Sequence, residues 1–392
     1  MDSLVVLHTS DTHLGYRQYG LSEREMDIYE VFGEIIEAAI REHVDAVIHS
    51  GDFFDSVNPP PQAYYHAIPY LRQLREKEIP LIVIPGDHDI PKRRVLPPLM
   101  VLERLGLLQV IGLREPEKRD IRLRRGGLRV AGFRNTKGPG ARQQLLKALT
   151  RLSQDSEYPS ILVLHQSLRG VSPEYELELG ELPKGYSYYA MGHIHLYKKY
   201  MVGESAVVYP GSPEALRRDE AEAQPTRYIV LAEIAPGKTL SSSKVKLTSP
   251  RPQLVYRHTY SSDKEFKSFI ARVREEVVRA EARTKKKPIL HIILDNVPRM
   301  KKTSIYDAID RLLRTHVLAL RIQAVTRDTS LPRTVQESTA NINHYEILKE
   351  LLGDEGLAKL ALELIDTLSL DSKQAAIIQA EKLLAKYFGI EV

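Results

Sequence analysis

Residues 81–91 read LIVIPGDHDIP. The apolar run Leu81 to Ile84 breaks at Pro85-Gly86, and three ionisable residues follow at once: Asp87, His88 and Asp89. Crowding them into one turn costs stability unless something compensates their charge and desolvation. The same punctuation recurs along the chain. LVVL (4–7) leads through HTSDTH to Asp11 and His13, and AVIH (46–49) leads through SGD to Asp52. ILVLH (161–165) ends in His165, and YYAMGHIH (188–195) ends in His193 and His195. Between the first two runs, Arg24 to His43 carries Ile28, Val31, Phe32, Ile35, Ile36 and Ala39 at helical spacing. Strand–helix alternation continues to about residue 235, where YIVLAEI (228–234) is the last run. It indicates an α/β layered fold. Ligands bind beyond the carboxyl ends of strands in such sheets, so the five polar ends are expected to converge.

Singly, each motif has a plain alternative. Asp-x-His, SGD and GDHD are common turn chemistry, and a lone histidine ending a strand is commonly a core residue. GHIH is more specific, because alternate residues of an extended segment face the same way. The ordered set, each member behind an apolar run, carries the argument. With no cysteine in the chain, a transition metal must be held by His, Asp, Glu or Asn. Such a donor set suits two divalent ions of the Mn, Fe or Zn kind. A bridging carboxylate such as Asp52 spans ions about 3.5–4 Å apart, a pair that activates water for in-line phosphoryl displacement.

The 392 residues suggest two or three domains, and a 43% hydrophobic content supplies real cores. No apolar stretch approaches the roughly 20 residues of a membrane span, and Leu4 to Leu7 run straight into the polar motif instead of forming a signal segment. A cytoplasmic, nucleoid-associated protein without a membrane role is expected. The absence of Cys and Trp, with abundant Arg and Glu, suits a thermophile. Residues 1–236 form the first expected domain, and the Ser-, Lys- and Pro-rich 237–253 reads as a link or strand edge. QLVYRHTY, PILHIILD and VLALRIQAV, separated by helical patterns at Asp263–Ala282 and Thr303–Thr315, predict a small βαβαβ domain over 250–326. Residues 327–340 read as a linker, and 341–392 as helices, with Asp371 a candidate cap for the last.

The order DTH…GD…GDHD…H…GHIH resembles the calcineurin-like metallophosphoesterases. SDTHLGY, SGDFFDSVNP, LPKGYSYYAMGHIH and VVYPGSPE resemble more narrowly the archaeal Mre-eleven nucleases and their bacterial SbcD counterparts. That resemblance implies a four-layer calcineurin-like β-sandwich with flanking helices, a small α/β cap and C-terminal helices. It implies a DNA double-strand-break repair nuclease, 3′–5′ exonuclease and single-strand endonuclease, acting on double-strand ends, hairpins and single strands with two Mn2+ per subunit. One metal would be held by Asp11, His13, Asp52 and His195, the other by Asp52, Asp87, His165 and His193. His88 is implied as proton donor or transition-state stabiliser, with Asp89 orienting it or packing behind the ligands. Two positions depart from the pattern: Asp87 replaces the usual asparagine, adding a carboxylate, and Asp55 replaces a usual histidine, where it would repel phosphate. His8 and His49 read as structural or supporting residues.

Across 251–330 the chain holds 18 Lys or Arg against 9 Asp or Glu, while its total formal charge is only +5. The remainder is therefore acidic, and the cap carries the positive charge. Lys285, Lys286, Lys287, Arg299, Lys301 and Lys302 are expected to contact DNA phosphates. The tail carries Leu357, Leu360, Leu364, Ile377 and Leu384 on more than one helix face. A partner's helices would cover these, and the resemblance implies an SMC-like ATPase of the Rad-fifty or SbcC type. Tyr64, Val101 and Leu105 are candidates for a homodimer surface. A calcineurin-like phosphatase or small-ester phosphodiesterase, and a non-catalytic DNA-end scaffold, are the rival readings.

Overall fold

A computed structural model describes residues 3–91, 96–136, 138, 140–153, 158–172, 174–327, 344–368 and 373–388. Twelve strands come first: β1 (Leu4–Thr9), β2 (Ala46–His49), β3 (Leu81–Val83), β4 (Gln109–Val110), β5 (Glu117–Leu123), β6 (Gly126–Phe133), β7 (Ser160–His165), β8 (Tyr188–Gly192), β9 (Lys198–Val202), β10 (Ser205–Tyr209), β11 (Tyr228–Ala235) and β12 (Lys238–Lys246). Among them lie α1 (Ser22–Arg41), α2 (Pro61–Glu76), α3 (Leu99–Arg104), α4 (Ala141–Arg151) and α5 (Arg218–Ala223). They form two six-stranded sheets, ordered β12-β11-β1-β2-β3-β4 and β5-β6-β7-β8-β10-β9.

Period-two alternation gives each buried strand two apolar faces. Leu4, Val6, Ile48 and Ile82 of the first sheet meet Val130, Ile161, Val163 and Val208 of the second. On the outer face of the first sheet, Leu7, Val47 and Val83 pack with Ile28, Phe32, Ile35 and Leu71 of α1 and α2. On the outer face of the second, Leu162 and Leu164 pack with Leu145 and Leu149 of α4. The result is the expected four-layer sandwich. The 237–253 stretch is more than a link: β12 pairs antiparallel with β11 as the sheet's edge strand, with a polar, largely exposed pattern. The first sheet therefore continues ten residues beyond 236.

The cap is β13 (Gln253–Thr259), α6 (Asp263–Thr284), β14 (Ile289–Pro298), α7 (Lys302–Leu313) and β15 (Ala319–Arg327), a parallel βαβαβ unit. One sheet face, through Leu290, Ile292 and Leu294, buries Phe266, Ile270, Val273 and Ile309 of its helices. The alternate residues face the sandwich: Arg321 lies over the Tyr19 ring, and Gln253 bonds Gln18. The chain divides into two compact units, 1–327, which includes sandwich and cap, and 328–392. The second unit contains α8 (His344–Leu352), α9 (Glu355–Leu368) and α10 (Lys373–Phe388). Of the expected linker 327–340, Arg327 ends β15, and the remainder, like Asp371, lies outside the described residues. Among the described residues no helix is long and apolar enough to cross a membrane.

Asp27, on α1, ties sandwich to cap. Its buried carboxylate accepts from Arg24 at 2.7 Å, from Arg251 at 2.6 and 2.9 Å, and from Lys286 at 3.2 Å. Burial would push Asp27 up, but Arg251, Arg24 and Lys286 outweigh it and hold it below its ordinary 3.8. Replacing it with Asn leaves these cations facing an uncharged group, and breaking a buried pair costs about 3–5 kcal/mol. Urea unfolding of Asp27→Asn at pH 7 should show that loss. A lowered folded-state pKa stabilises above 3.8 and loses its effect as pH falls below it, so the two proteins should converge in acid.

Candidate metal centre

The five strand ends meet where the two sheets present their carboxyl edges. Beyond β1, the turn 10–13 carries Asp11 and His13, and beyond β2 the turn 50–52 carries Asp52. Both turns are left-handed: φ is 53° at Asp11, 46° at His13 and 53° at Asp52, and His193, beyond β8, has φ 82°. Non-glycine residues seldom adopt such angles, and they persist where the surroundings over-determine them. Here main-chain bonds between the turns do so, from Asp11 N to Gly51 O (2.9 Å), His13 N to Asp52 O (3.1 Å) and Leu14 N to Phe53 O (2.9 Å).

Asp52 Oδ2 lies 3.2 Å from His165 Nε2 and 3.8 Å from His13 Nε2, so it sits between two groups of donors. Asp11, His13 and His195 bring ligand atoms within 4.8 Å of one another, as do Asp87, His165 and His193. The Nε2 atoms of His13 and His165 are buried without a hydrogen-bond partner, although buried polar atoms are nearly always paired. Each histidine on this side is fixed through Nδ1, which must donate to an oxygen acceptor. His165 donates to Ser50 O (2.8 Å), His195 to Glu220 Oε1 (2.8 Å) and His13 to Asp55 Oδ1 (3.2 Å). That leaves the Nε2 lone pairs for a cation. The His165 ring lies so close to Gly51 and Gly192 that a Cβ on either would sit within 2.3 and 2.7 Å of its Nδ1.

The charges also call for a cation. Burial pushes the His165 imidazole down, but Asp52, Asp11 and Asp87 overcome it and hold it up at about 10. Asp52 is pushed up by burial and drawn far below the carboxylate range by His165, His13 and His88. The carboxylates that raise this imidazole set a negative field, which a divalent ion would neutralise by taking the place of the Nε2 proton. This donor set, oxygen and imidazole without thiolate, fits two such ions.

A profile of the calcineurin-like phosphoesterases matches residues 4–197. The protein of Saccharolobus solfataricus named DNA double-strand break repair protein Mre11 is 34% identical over 91% of this chain and 88% of its own. Proteins of the same name from Sulfolobus acidocaldarius and Sulfurisphaera tokodaii are 32% and 35% identical, over 98% and 75% of this chain and 99% and 74% of their own. The chain belongs to the Mre11 family.

Of the two expectations for Asp89, the arrangement fits packing behind the converging residues. Its carboxylate does not orient His88: it is fully buried and accepts from Phe53 N (3.1 Å), Phe54 N (3.0 Å) and Gly86 N (3.0 Å), tying the Asp52 turn to the Asp87 turn. His88 is oriented instead by the Asp55 carbonyl, 2.6 Å from its Nδ1, and its main-chain N donates to Asp52 Oδ1 at 2.8 Å. The Asp55 carboxylate accepts from His13 Nδ1 at 3.2 Å. A ligand atom of His88 also lies within 4.8 Å of those of His13 and Asp52. His8 and His49 are fully buried supports, held by Tyr188 and Ser50 and by Thr12 respectively. Sequence reasoning missed Glu220, which sits in RRDEAEA without any motif, and Asn135, whose Nδ2 holds the His165 carbonyl at 2.8 Å.

The Mre11-like surfaces divide as well. Lys286 is not a free DNA contact, since its ammonium is taken by Asp27, Glu30 (2.6 Å) and the Ser249 carbonyl (2.7 Å). Lys285, Lys287 and Arg299 are exposed, Lys301 pairs with Asp263 (2.7 Å), and Lys302 lies over the Tyr306 ring. Val101 and Leu105 are exposed, whereas Tyr64 is half-buried against Phe54. In the tail unit Leu357 and Leu384 are exposed, Leu364 is half-buried and Leu360 is buried, so Leu360 offers no docking surface. The Ile377 side chain lies outside the described residues.

Asp89→Asn keeps the shape but leaves one main-chain amide without an acceptor. It should cost about 1–3 kcal/mol in chelator-treated protein by urea unfolding. It should also weaken divalent-ion binding about 10- to 100-fold by calorimetry, as a supporting residue does.

Proposed function

We propose that the protein is a manganese-dependent DNA nuclease of double-strand-break repair, hydrolysing phosphodiesters with two metal ions and working with an SMC-like ATPase. The observation that carries this is Asp52 Oδ2 between the orphaned Nε2 atoms of His13 and His165. When bound there, a divalent pair activates water at neutral pH and neutralises charge on the phosphoryl oxygens. The relatives named for DNA double-strand break repair support the choice of DNA, and so does the basic cap. The exposed apolar Leu357 and Leu384 of the tail unit support an ATPase partner, and exposed Val101 and Leu105 support a homodimer.

The chain's own residues supply the rest. Asp11, His13, Asp52 and His195 would hold one ion, and Asp52, Asp87, His165 and His193 the other. His88, oriented through Nδ1, presents its other nitrogen for proton donation to the leaving oxygen or for charge stabilisation. The rival small-ester reading predicts a different substrate. Labelled blunt and hairpin duplexes should be degraded with Mn2+ and left intact with excess chelator. Turnover of p-nitrophenyl phosphate without attack on DNA would favour the phosphatase, and protection of DNA ends without cleavage the scaffold.

His88→Asn should lower the nuclease rate about 10²–10⁴-fold, the usual worth of general acid catalysis. Manganese stoichiometry and DNA affinity should stay near wild type, and loss of an ion by anomalous scattering would make His88 a ligand instead.

Lys285→Ala with Lys287→Ala should weaken duplex binding alike for all sequences, lowering the salt slope by about 0.9 for each phosphate no longer neutralised. Lys286→Ala should register instead as reduced stability in urea.

A further inference from the structure

The helix α5 reaches both the metal centre and the cap. A helix turns about 100° per residue, so residues two apart point in nearly opposite directions and residues four apart share a face. Glu220 and Gln224, at the end of α5, take one side. The Glu220 Oε1 atom accepts from His195 Nδ1 at 2.8 Å, and Gln224 Oε1 accepts from Tyr197 N at 2.8 Å. Arg218 and Glu222 take the other. Arg218 donates to Gln323 of β15 at 2.8 Å, and Glu222 receives both arms of Arg257 of β13 at 2.7 and 3.0 Å. One short helix therefore grips the segment that carries a metal ligand and, on its opposite face, two strands of the cap.

The grip on the ligand side is rigid. Glu220 is buried, and its second oxygen accepts from Leu216 N at 2.9 Å, while Arg217 Nε lies 2.9 Å from the first. The His195 carbonyl is held in turn by Ser212 N (3.1 Å) and Arg227 (3.0 Å). The cap side is lighter, an exposed ion pair and one amide contact. A shift of β13 and β15 against the sandwich is therefore passed to α5, and from there to the direction of His195 Nε2.

We propose that Glu220 is a positioning residue for His195 and that α5 couples the position of the cap to the affinity of one metal ion, the one held by Asp11, His13, Asp52 and His195. The inference rests on the metal reading given above. It follows by reciprocity that whatever moves the cap alters this ion's binding, and the ion's binding biases the cap.

The test is calorimetric titration of the full-length, metal-free protein with MnCl2, which reads binding and not activity. Wild type should take two ions. Glu220→Gln should bind one ion about 10- to 100-fold more weakly, leaving the other within about twofold. A merely structural loss would weaken both ions instead and would overturn the positioning role. Arg257→Ala with Gln323→Ala alters the cap alone and should weaken the same ion about two- to fivefold, the scale of exposed contacts. Unchanged affinities in this double variant would overturn the coupling, and it decides alone if Glu220→Gln does not fold. Wild type that binds no manganese would overturn the metal reading and this one with it. Two ions in wild type with unchanged affinities in Glu220→Gln would overturn this one only.

Discussion

Three carboxylates, Asp11, Asp52 and Asp87, converge with four imidazoles in a space from which most water is excluded, and the local fold is arranged around that repulsion. Two buried like charges tolerate each other only when hydrogen bonds and opposite charges surround them. The turns that deliver Asp11 and Asp52 bond to each other through the main chain, so neither carboxylate can retreat without breaking the other's turn. Asp89 adds a further clamp: held near 6 by burial and by Asp52, it stays in place because three main-chain amides point at it. The left-handed φ values at Asp11, His13, Asp52 and His193 are the visible cost of this arrangement.

Support behind the ligands follows the same logic. An imidazole offers Nε2 to a cation only if its Nδ1 proton has somewhere to go. His165 uses a main-chain carbonyl, His13 and His195 use carboxylates, and the two solutions differ in consequence. A carbonyl belongs to the strand end and moves with it. Glu220 belongs to a helix outside both sheets, burial pushes it up, and His195 and the Leu216 amide bring it down to about 2. His195 is therefore the proposed ligand whose orientation depends on a group outside the two sheets.

The convergence of these residues was legible in the sequence because each follows an apolar run, and strand polarity forces such residues to one edge. The sandwich and the βαβαβ cap were legible for the same reason, since buried strands and amphipathic helices announce themselves by period. What stayed hidden lacked a period. The strand β12, KTLSSSKVK, is an exposed edge and needs no apolar alternation, so link and strand edge could not be told apart there. Glu220 acts through a contact between residues 25 apart in the chain, which no local pattern encodes. In the run Lys285-Lys286-Lys287 one ammonium turns inward to Asp27 while its neighbours stay outside, a choice made by the C-terminal turn of α6, where Lys285 has φ 59°. Tyr64 is half-buried, its ring packed beside Phe54, a contact between residues of different segments that no local pattern encodes.

Asp87 sharpens a division of labour between the two parts of the first unit. A third carboxylate deepens the negative field that holds His165 at about 10, and so favours retention of cations at the strand ends. The same field opposes the approach of a polyanion. Long-range attraction for a phosphodiester backbone must then come from elsewhere, and within a Debye length of about 8–10 Å at physiological salt it has to come from charges close to the path of the chain. The sandwich and tail together are acidic and cannot provide it. The cap, with its surplus of Lys and Arg and exposed residues such as Lys285, Lys287 and Arg299, can. The more acidic the metal centre becomes, the more strictly substrate capture depends on how the cap is held against it, through Asp27 on one side of the seam and Glu222 on the other.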